Sequence, residues 1–200
     1  MGINDYLIQP LTPDRWDDFV TLFGPHGAMG GCWCMYWRRE GAWQAKSGDQ
    51  NRIKMNALVQ GGAVTGLLAY AGDQVVGWVS VAPRTDYAAL ARSRVLAPVD
   101  EQPVWSIVCF YIHRRWRRKG VMRALLRGAV AYAATHGARI VEAYPMDKEE
   151  VLADVSSYMG VMKPFLDEGF VEVARRSEHH AVVRKIVTDK TGEDKRTQSF

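Results

Sequence analysis

The sequence is poor in cysteine: Cys32, Cys34 and Cys109 are the three it has in 200 residues. An odd number of thiols in a chain of this size argues against a disulfide framework and fits a reducing compartment. No stretch approaches the roughly 20 consecutive apolar residues that span a bilayer, and Met1 to Pro10 carries no charged-then-apolar leader. A cytoplasmic protein with no membrane partner is expected. Acidic residues are missing altogether between Glu101 and Glu142. That gap holds Arg114, Arg115, Arg117, Arg118, Lys119, Arg123, Arg127 and Arg139, while acids outnumber bases elsewhere. Such a distribution argues against the spread-out basic face that tracks nucleic acid and points to a small, local anion.

What is present suits one compact domain. The chain is 48% hydrophobic, enough for a single core and too short to leave room for a second. Tyr6 to Gln9 reads as a strand, and Thr12, with Pro13 behind it, as the start of a helix reaching Phe23. The segment Gly24 to Trp43 has too many glycines for regular structure and too many aromatics for disorder, so an ordered loop is expected. A helix from Ser47 ends before Gly61-Gly62, and Val64 to Pro83 forms two strands about a turn at Ala71-Gly72-Asp73. Asp86 to Leu96 is helical by composition, and Val104 to Ile112 has the unbroken β-branched and aromatic content of a central strand. Val121, Ala124, Leu125, Gly128, Ala129 and Tyr132 mark one face of a helix that Gly137 ends. Arg139 to Tyr144 is the next strand, Val155 to Asp167 a further helix, and the segments Phe170 to Arg176 and Ala181 to Val187 the last two strands. Residues 1–187 therefore make the domain, with residues 188–200 a polar, disordered tail.

The basic cluster lies where a strand gives way to a helix. "RRWRRKGVMRALL", Arg114 to Leu126, passes through one glycine and opens directly into the helical face. The first turn of a helix exposes unpaired N–H groups and the positive end of its dipole, so a phosphate group can rest on the backbone itself. Neither the G-x-G-x-x-G of dinucleotide folds nor the G-x-x-x-x-G-K-S/T of nucleotide triphosphatases is present here. Instead "RRKGVM", Arg117 to Met122, resembles the R/Q-x-x-G-x-G/A signature of the GNAT superfamily of acetyl-CoA-dependent N-acetyltransferases. The order of elements agrees with that family from Tyr6 to Val187.

The resemblance implies an α+β fold, a GNAT-like mixed central β-sheet of about seven strands flanked by helices in a single domain. It implies acetyl-CoA as co-substrate and transfer of its acetyl group to an amine by direct attack in a ternary complex. Phe110, Tyr111 and Ile112 would face the pantetheine arm, and Arg117, Arg118, Lys119, Gly120, Val121, Met122 and Arg123 the pyrophosphate. Met122 stands where the family has glycine or alanine, so its side chain must turn from the phosphates or the loop must open.

The same resemblance locates the chemistry less completely. The place of the family's glutamate base falls on Ser106, that of its tyrosine acid on Phe165, and that of a common asparagine on Tyr158. Glu142, the lone carboxylate of "RIVEAYP", remains as a base, with an ion pair to an arginine as the equal alternative. Tyr158 and Tyr144 are candidate proton donors or packing residues. Cys109 is a small apolar residue or an acyl-accepting nucleophile. Cys32 and Cys34 with His26 lack a second ligand pair, so no metal is expected. In this family the loop between the first two helices borders the acceptor, so Trp33, Tyr36, Trp37 and Arg38 either wall a flat or aromatic amine or fill the core edge. A small molecule or a peptide amine is the expected acceptor, and exposed edge strands leave a homodimer open. The rival to catalysis is a non-catalytic acyl-CoA-binding module or sensor, suggested by the substitutions at Ser106 and Phe165.

Overall fold

A computed structural model describes residues 6–42, 48–147 and 158–187. Strand β1 (Leu7–Pro10) is followed by a 3-10 turn at Pro13–Arg15 and helix α1 (Trp16–Phe23). The helix begins later than Thr12 because Arg15 Nη1 donates to the Thr12 hydroxyl at 2.6 Å, which takes that oxygen away from capping. After the aromatic loop come α2 (Gly48–Gln60) and the hairpin β2 (Leu67–Ala71) and β3 (Gln74–Pro83). The helix expected over 86–96 shrinks to one turn, α3 (Ala88–Ala91). Beyond it the Ser93 hydroxyl accepts from the Leu96 amide at 3.1 Å, a local bond that competes with helix continuation.

Strand β4 (Trp105–Ile112), helix α4 (Val121–Thr135) and strand β5 (Ile140–Ala143) follow as expected, and Gly137 closes α4. The next helix is shorter than its composition suggested. Residues 155–157 lie outside the described residues, Tyr158 to Val161 is not helical, and α5 is Met162–Asp167. Strands β6 (Val171–Arg175) and β7 (Ala181–Ile186) complete the fold, and the tail from residue 188 lies outside the described residues.

The seven strands form one mixed sheet in the order β1-β2-β3-β4-β5-β7-β6, antiparallel throughout except where β4 and β5 run parallel. One face packs on α4: Val76, Val79, Ile107, Val121, Leu125 and Ala129 are buried together. The other holds a second core under α1 and α2, with Phe19, Phe23, Trp33, Met55 and Trp78. Two irregularities prepare the site. β3 and β4 pair Ser80 with Cys109 but Val81 with Ile107, so Val108 is an extra residue that bends β4. β4 and β5 then pair over three positions, Trp105 with Val141 through Ile107 with Ala143, and pair no further. A parallel pair that opens this early leaves a cleft in the middle of the sheet.

Candidate active site

A cavity of about 560 Å³ occupies that cleft. Cys109, Phe110, Tyr111 and Ile112 of β4 line one side, Arg117 and Met122 one end, and Tyr158, Gly160 and Val161 the side where β5 has turned away. The aromatic loop closes the rest through Cys32, Cys34, Tyr36 and Trp37. Phe23 belongs to the same lining and lies 5.0 Å from Tyr111, ring to ring.

The basic end is a cradle made of backbone. Gly120 has φ +86, a left-handed value that glycine adopts without strain, and no atom lies within 4 Å of where a Cβ would stand. It precedes α4 directly, and no side chain caps the first turn. The first intrahelical bond runs from the Ala124 amide to the Gly120 carbonyl at 3.1 Å, so the amides of Val121, Met122 and Arg123 open the helix without intrahelical acceptors. Arg118 also sits left-handed, at φ +60, a conformation that a non-glycine residue holds only when its surroundings impose it. The Lys119 carbonyl accepts from the Tyr6 hydroxyl at 2.9 Å, and its ammonium lies 5.0 Å over the Trp116 ring. Arg123 is turned the other way: it pairs with Asp167 at 2.7 Å and Glu168 at 3.3 Å, so only its amide faces the cradle. Met122 lines the cavity, and its Cε would meet a Cβ at Gly160 at 2.6 Å; the chain makes room for this larger residue across the cleft.

The catalytic candidates part company. Tyr158 lines the cavity with its ring 6.3 Å from Tyr36, and burial pushes its phenol above the ordinary value, which keeps it protonated. Its carbonyl accepts from the Phe110 amide at 2.6 Å, bridging the gap that β5 leaves. Glu142 and Ser106 face each other in register on β5 and β4, and both are fully buried outside the lining. Oε1 of Glu142 accepts from Arg84 at 2.8 Å and from the Tyr144 hydroxyl at 2.6 Å, and Oε2 from Arg184 at 2.7 Å. The Ser106 hydroxyl reaches the Tyr144 oxygen at 2.8 Å, and Arg84 bonds to the same oxygen. Arg184 carries the network outward by a two-pronged pair with Asp100, at 2.6 and 3.1 Å. Of the two readings of Glu142, the ion pair with an arginine is the one in place, doubled. Tyr144 packs inside the same network, its phenol pushed well up, chiefly by burial.

The expected acceptor wall is also divided. Tyr36 and Trp37 meet edge to face at 5.0 Å and line the cavity. Trp33 does not: it is buried against Phe23 at 5.9 Å, and its indole covers Gly27 so closely that a Cβ there would fall 2.1 Å from Nε1. Arg38 does not reach the cavity either. Its buried guanidinium donates to the Val64 carbonyl at 3.1 Å, lies 3.8 Å from Asp86 and stands 4.7 Å over Tyr87, tying the loop to the sheet. Both are corrections to the expected wall, and their cause is that the loop folds inward over β3 before it returns to the cavity. Sequence reasoning missed Phe23, Cys32, Cys34, Gly160 and Val161 as lining residues. The concentration of aromatics and cysteines around Trp33 hinted at Cys32 and Cys34, and nothing in the sequence pointed to Gly160 and Val161. Among the described residues no group of three His, Cys, Asp or Glu side chains is placed to hold a metal ion.

Residues 29–151 match the acetyltransferase (GNAT) family. The chain belongs to that family. This GNAT chain also shares its fold with solved structures. An acetyltransferase of the GNAT family from Streptococcus agalactiae superimposes with a TM-score of 0.55 at 14% identity, over 94% of this chain and 99% of that one. The yncA protein of Salmonella typhimurium, solved with acetyl-CoA, gives 0.52 at 14% identity over 96% and 99%. The PaiA N-acetyltransferase of Thermoplasma acidophilum, in complex with coenzyme A, gives 0.51 at 11% identity over 92% and 100%. No curated protein sequence matches the chain. For a GNAT acetyltransferase, the parting of β4 and β5 beside an uncapped α4 is the feature to explain, and among the described residues no helix is long and apolar enough to cross a membrane.

Proposed function

We propose that the protein is an N-acetyltransferase that moves the acetyl group of acetyl-CoA to an amine by direct attack within a ternary complex. The observation that carries this reading is the continuity of three features: the uncapped first turn of α4, the gap between β4 and β5, and the aromatic cavity at its far end. The amides of Val121, Met122 and Arg123, with Gly120 giving close approach, suit a pyrophosphate. Arg117 and Ile112 border the passage that an amide-bearing arm would follow along β4. Family relatives of this fold hold coenzyme A or acetyl-CoA, which supports acetyl-CoA as the co-substrate.

The acceptor end is walled by Phe23, Tyr36, Trp37, Tyr111 and Tyr158, and among the described residues no carboxylate or guanidinium other than Arg117 lines the cavity. A flat, weakly charged amine of a small molecule or a peptide fits it better than a polyanion or polycation. Tyr158, protonated and exposed to the cavity, is the residue placed to give a proton to the departing thiolate. Glu142 and Ser106 hold the sheet together beside the cleft and take no proton from the amine.

Isothermal calorimetry with acetyl-CoA tests the binding half: saturable heat is expected, and its absence overturns the proposal. Gly120→Val should weaken that binding at least tenfold while the fold persists, because a β-branched residue resists φ +86 and its side chain would stand over the cradle. Thiol release across a panel of arylalkyl and peptide amines tests the transfer half. Binding without turnover on any of them would leave a non-catalytic acyl-CoA module.

A further inference from the structure

The thiols of the cavity have no part in that scheme. Cys32, Cys34 and Cys109 all line it, and the Cys109 thiol, 3.8 Å from the Phe110 carbonyl, lies against the Cys34 sulfur. Other groups converge on the same atom. The Trp78 indole N–H lies 3.1 Å from Sγ, close for a bond to sulfur, and the Ser80 hydroxyl, bonded to the Thr65 carbonyl at 3.2 Å and to the Tyr87 oxygen at 3.0 Å, adds a polar neighbour. The buried guanidinium of Arg38 adds its field. A sulfur that accepts from an indole N–H, has other polar hydrogens beside it and feels a nearby cation is stabilised as the anion, as catalytic thiols are. Cys34 is accordingly held below the ordinary thiol value, first by the Cys109 bond, against the opposing effect of burial. Cys109, the donor of that bond, is held well above it, so the proton of the pair resides on Cys109.

The backbone shows the same arrangement from a second side. Trp33 and Cys34 are consecutive non-glycine residues in the left-handed region, at φ +45 and +59. Each such residue costs on the order of 1 kcal/mol or more, and the conformation persists because Trp33 is locked over Gly27 and Cys34 against Trp78. The result turns the Cys34 sulfur toward β4 at Cys109, the residue next to the bulge, where the β4–β5 gap begins. An acyl group carried along that gap arrives beside it.

We infer that Cys34 is an acyl-accepting site: with acetyl-CoA in the cavity and no amine beside it, the Cys34 sulfur takes the acetyl group. This rests on the acetyl-CoA reading of the cavity. The Cys34 thiolate adds to the thioester carbonyl carbon, forming a C–S bond. The adduct collapses with cleavage of the bond to the coenzyme sulfur, and coenzyme A leaves as a thiolate that takes a proton from water. One thioester is exchanged for another, so no oxidant or further reactant is needed. The acetylated sulfur is neutral, and the Cys109 thiol loses its anionic partner.

The test is peptide mass spectrometry of wild-type protein incubated with acetyl-CoA in the absence of amine and quenched in acid. One acetyl group is expected on Cys34, located by fragmentation, and none on Cys32 or Cys109. Cys34→Ala should stay unmodified, and Cys109→Ala, which removes the donor, should slow the reaction at least tenfold, the worth of one hydrogen bond to a charged group. A measurement on wild type alone guards against a misfolded variant. Alkylation of Cys34 by iodoacetamide should rise with pH at a midpoint below the ordinary thiol value of about 8.5. Calorimetric binding of acetyl-CoA with no acetyl on Cys34, or with all three cysteines modified alike, overturns this inference and leaves the N-acetyltransferase reading intact. Absence of binding overturns that reading instead. Selective acetylation of Cys34 by thiophenyl acetate would still support the activated thiol in that case.

Discussion

Glu142 is a single carboxylate held inside a network of cations. It is fully buried, and both of its oxygens are engaged by guanidinium groups from β7 and from the end of β3. Removing it takes the carboxylate from the partly buried Arg84 and leaves Arg184 with Asp100 alone, so Glu142→Ala should destabilise the protein by about 3 kcal/mol in denaturant unfolding. Glu142→Gln, which keeps part of the hydrogen bonding, should lose less stability and retain turnover. A large fall in kcat for Glu142→Gln at undiminished stability would instead restore the base. Tyr158→Phe is the complementary substitution. It keeps the ring that meets Tyr36 and removes only the phenol hydroxyl, so kcat should fall by roughly 10²-fold or more with acetyl-CoA affinity unchanged by calorimetry.

At the scale of elements, the site depends on how α4 lies against the sheet. Gly77 on β3 lets the first turns of α4 approach: a Cβ there would stand 2.7 Å from Val121 Cγ1 and 3.0 Å from Leu125 Cδ1. Gly77→Ala should therefore lift the start of α4, costing about 1–3 kcal/mol in unfolding experiments. Val121 adjoins Gly120, so acetyl-CoA affinity should fall in the same variant. Much of this level was legible in the sequence. The apolar period through Tyr132, the turn at Gly72 and the unbroken run of β4 each express a local preference that tertiary contacts reinforce. What could not be read was set by partners distant in the chain. Trp33 and Arg38 looked like acceptor contacts until Gly27 and the carbonyls of residues 64 and 65 claimed them. Cys34 gained its chemistry from Trp78 and Cys109, neighbours that no spacing in the sequence announces.

Across the whole molecule, one polar chain joins segments far apart in sequence: Arg84 after β3, Asp100 before β4, Glu142 on β5 and Arg184 on β7. Its outermost member is Asp100, held by Arg184. The Arg184 hydrogen bonds pull the Asp100 carboxyl down to about 2. A carboxylate depressed in the folded state lends stability that is complete above its unfolded value of about 4 and disappears as pH falls through the folded one. Unfolding free energy measured from roughly pH 4 to pH 2 should therefore decline, and Asp100→Asn should flatten that part of the profile while lowering the plateau above it. An unchanged acid slope in Asp100→Asn would show that other carboxylates govern this window.

The bond from the Phe110 amide to the Tyr158 carbonyl has a kinetic consequence. A ligand that needs this amide must take it from a neighbour rather than find it free, so docking along β4 becomes an exchange of one acceptor for another. Mixed rapidly with coenzyme, the protein should show an observed rate that levels off as concentration rises, with the ceiling set by how often residue 158 lets go.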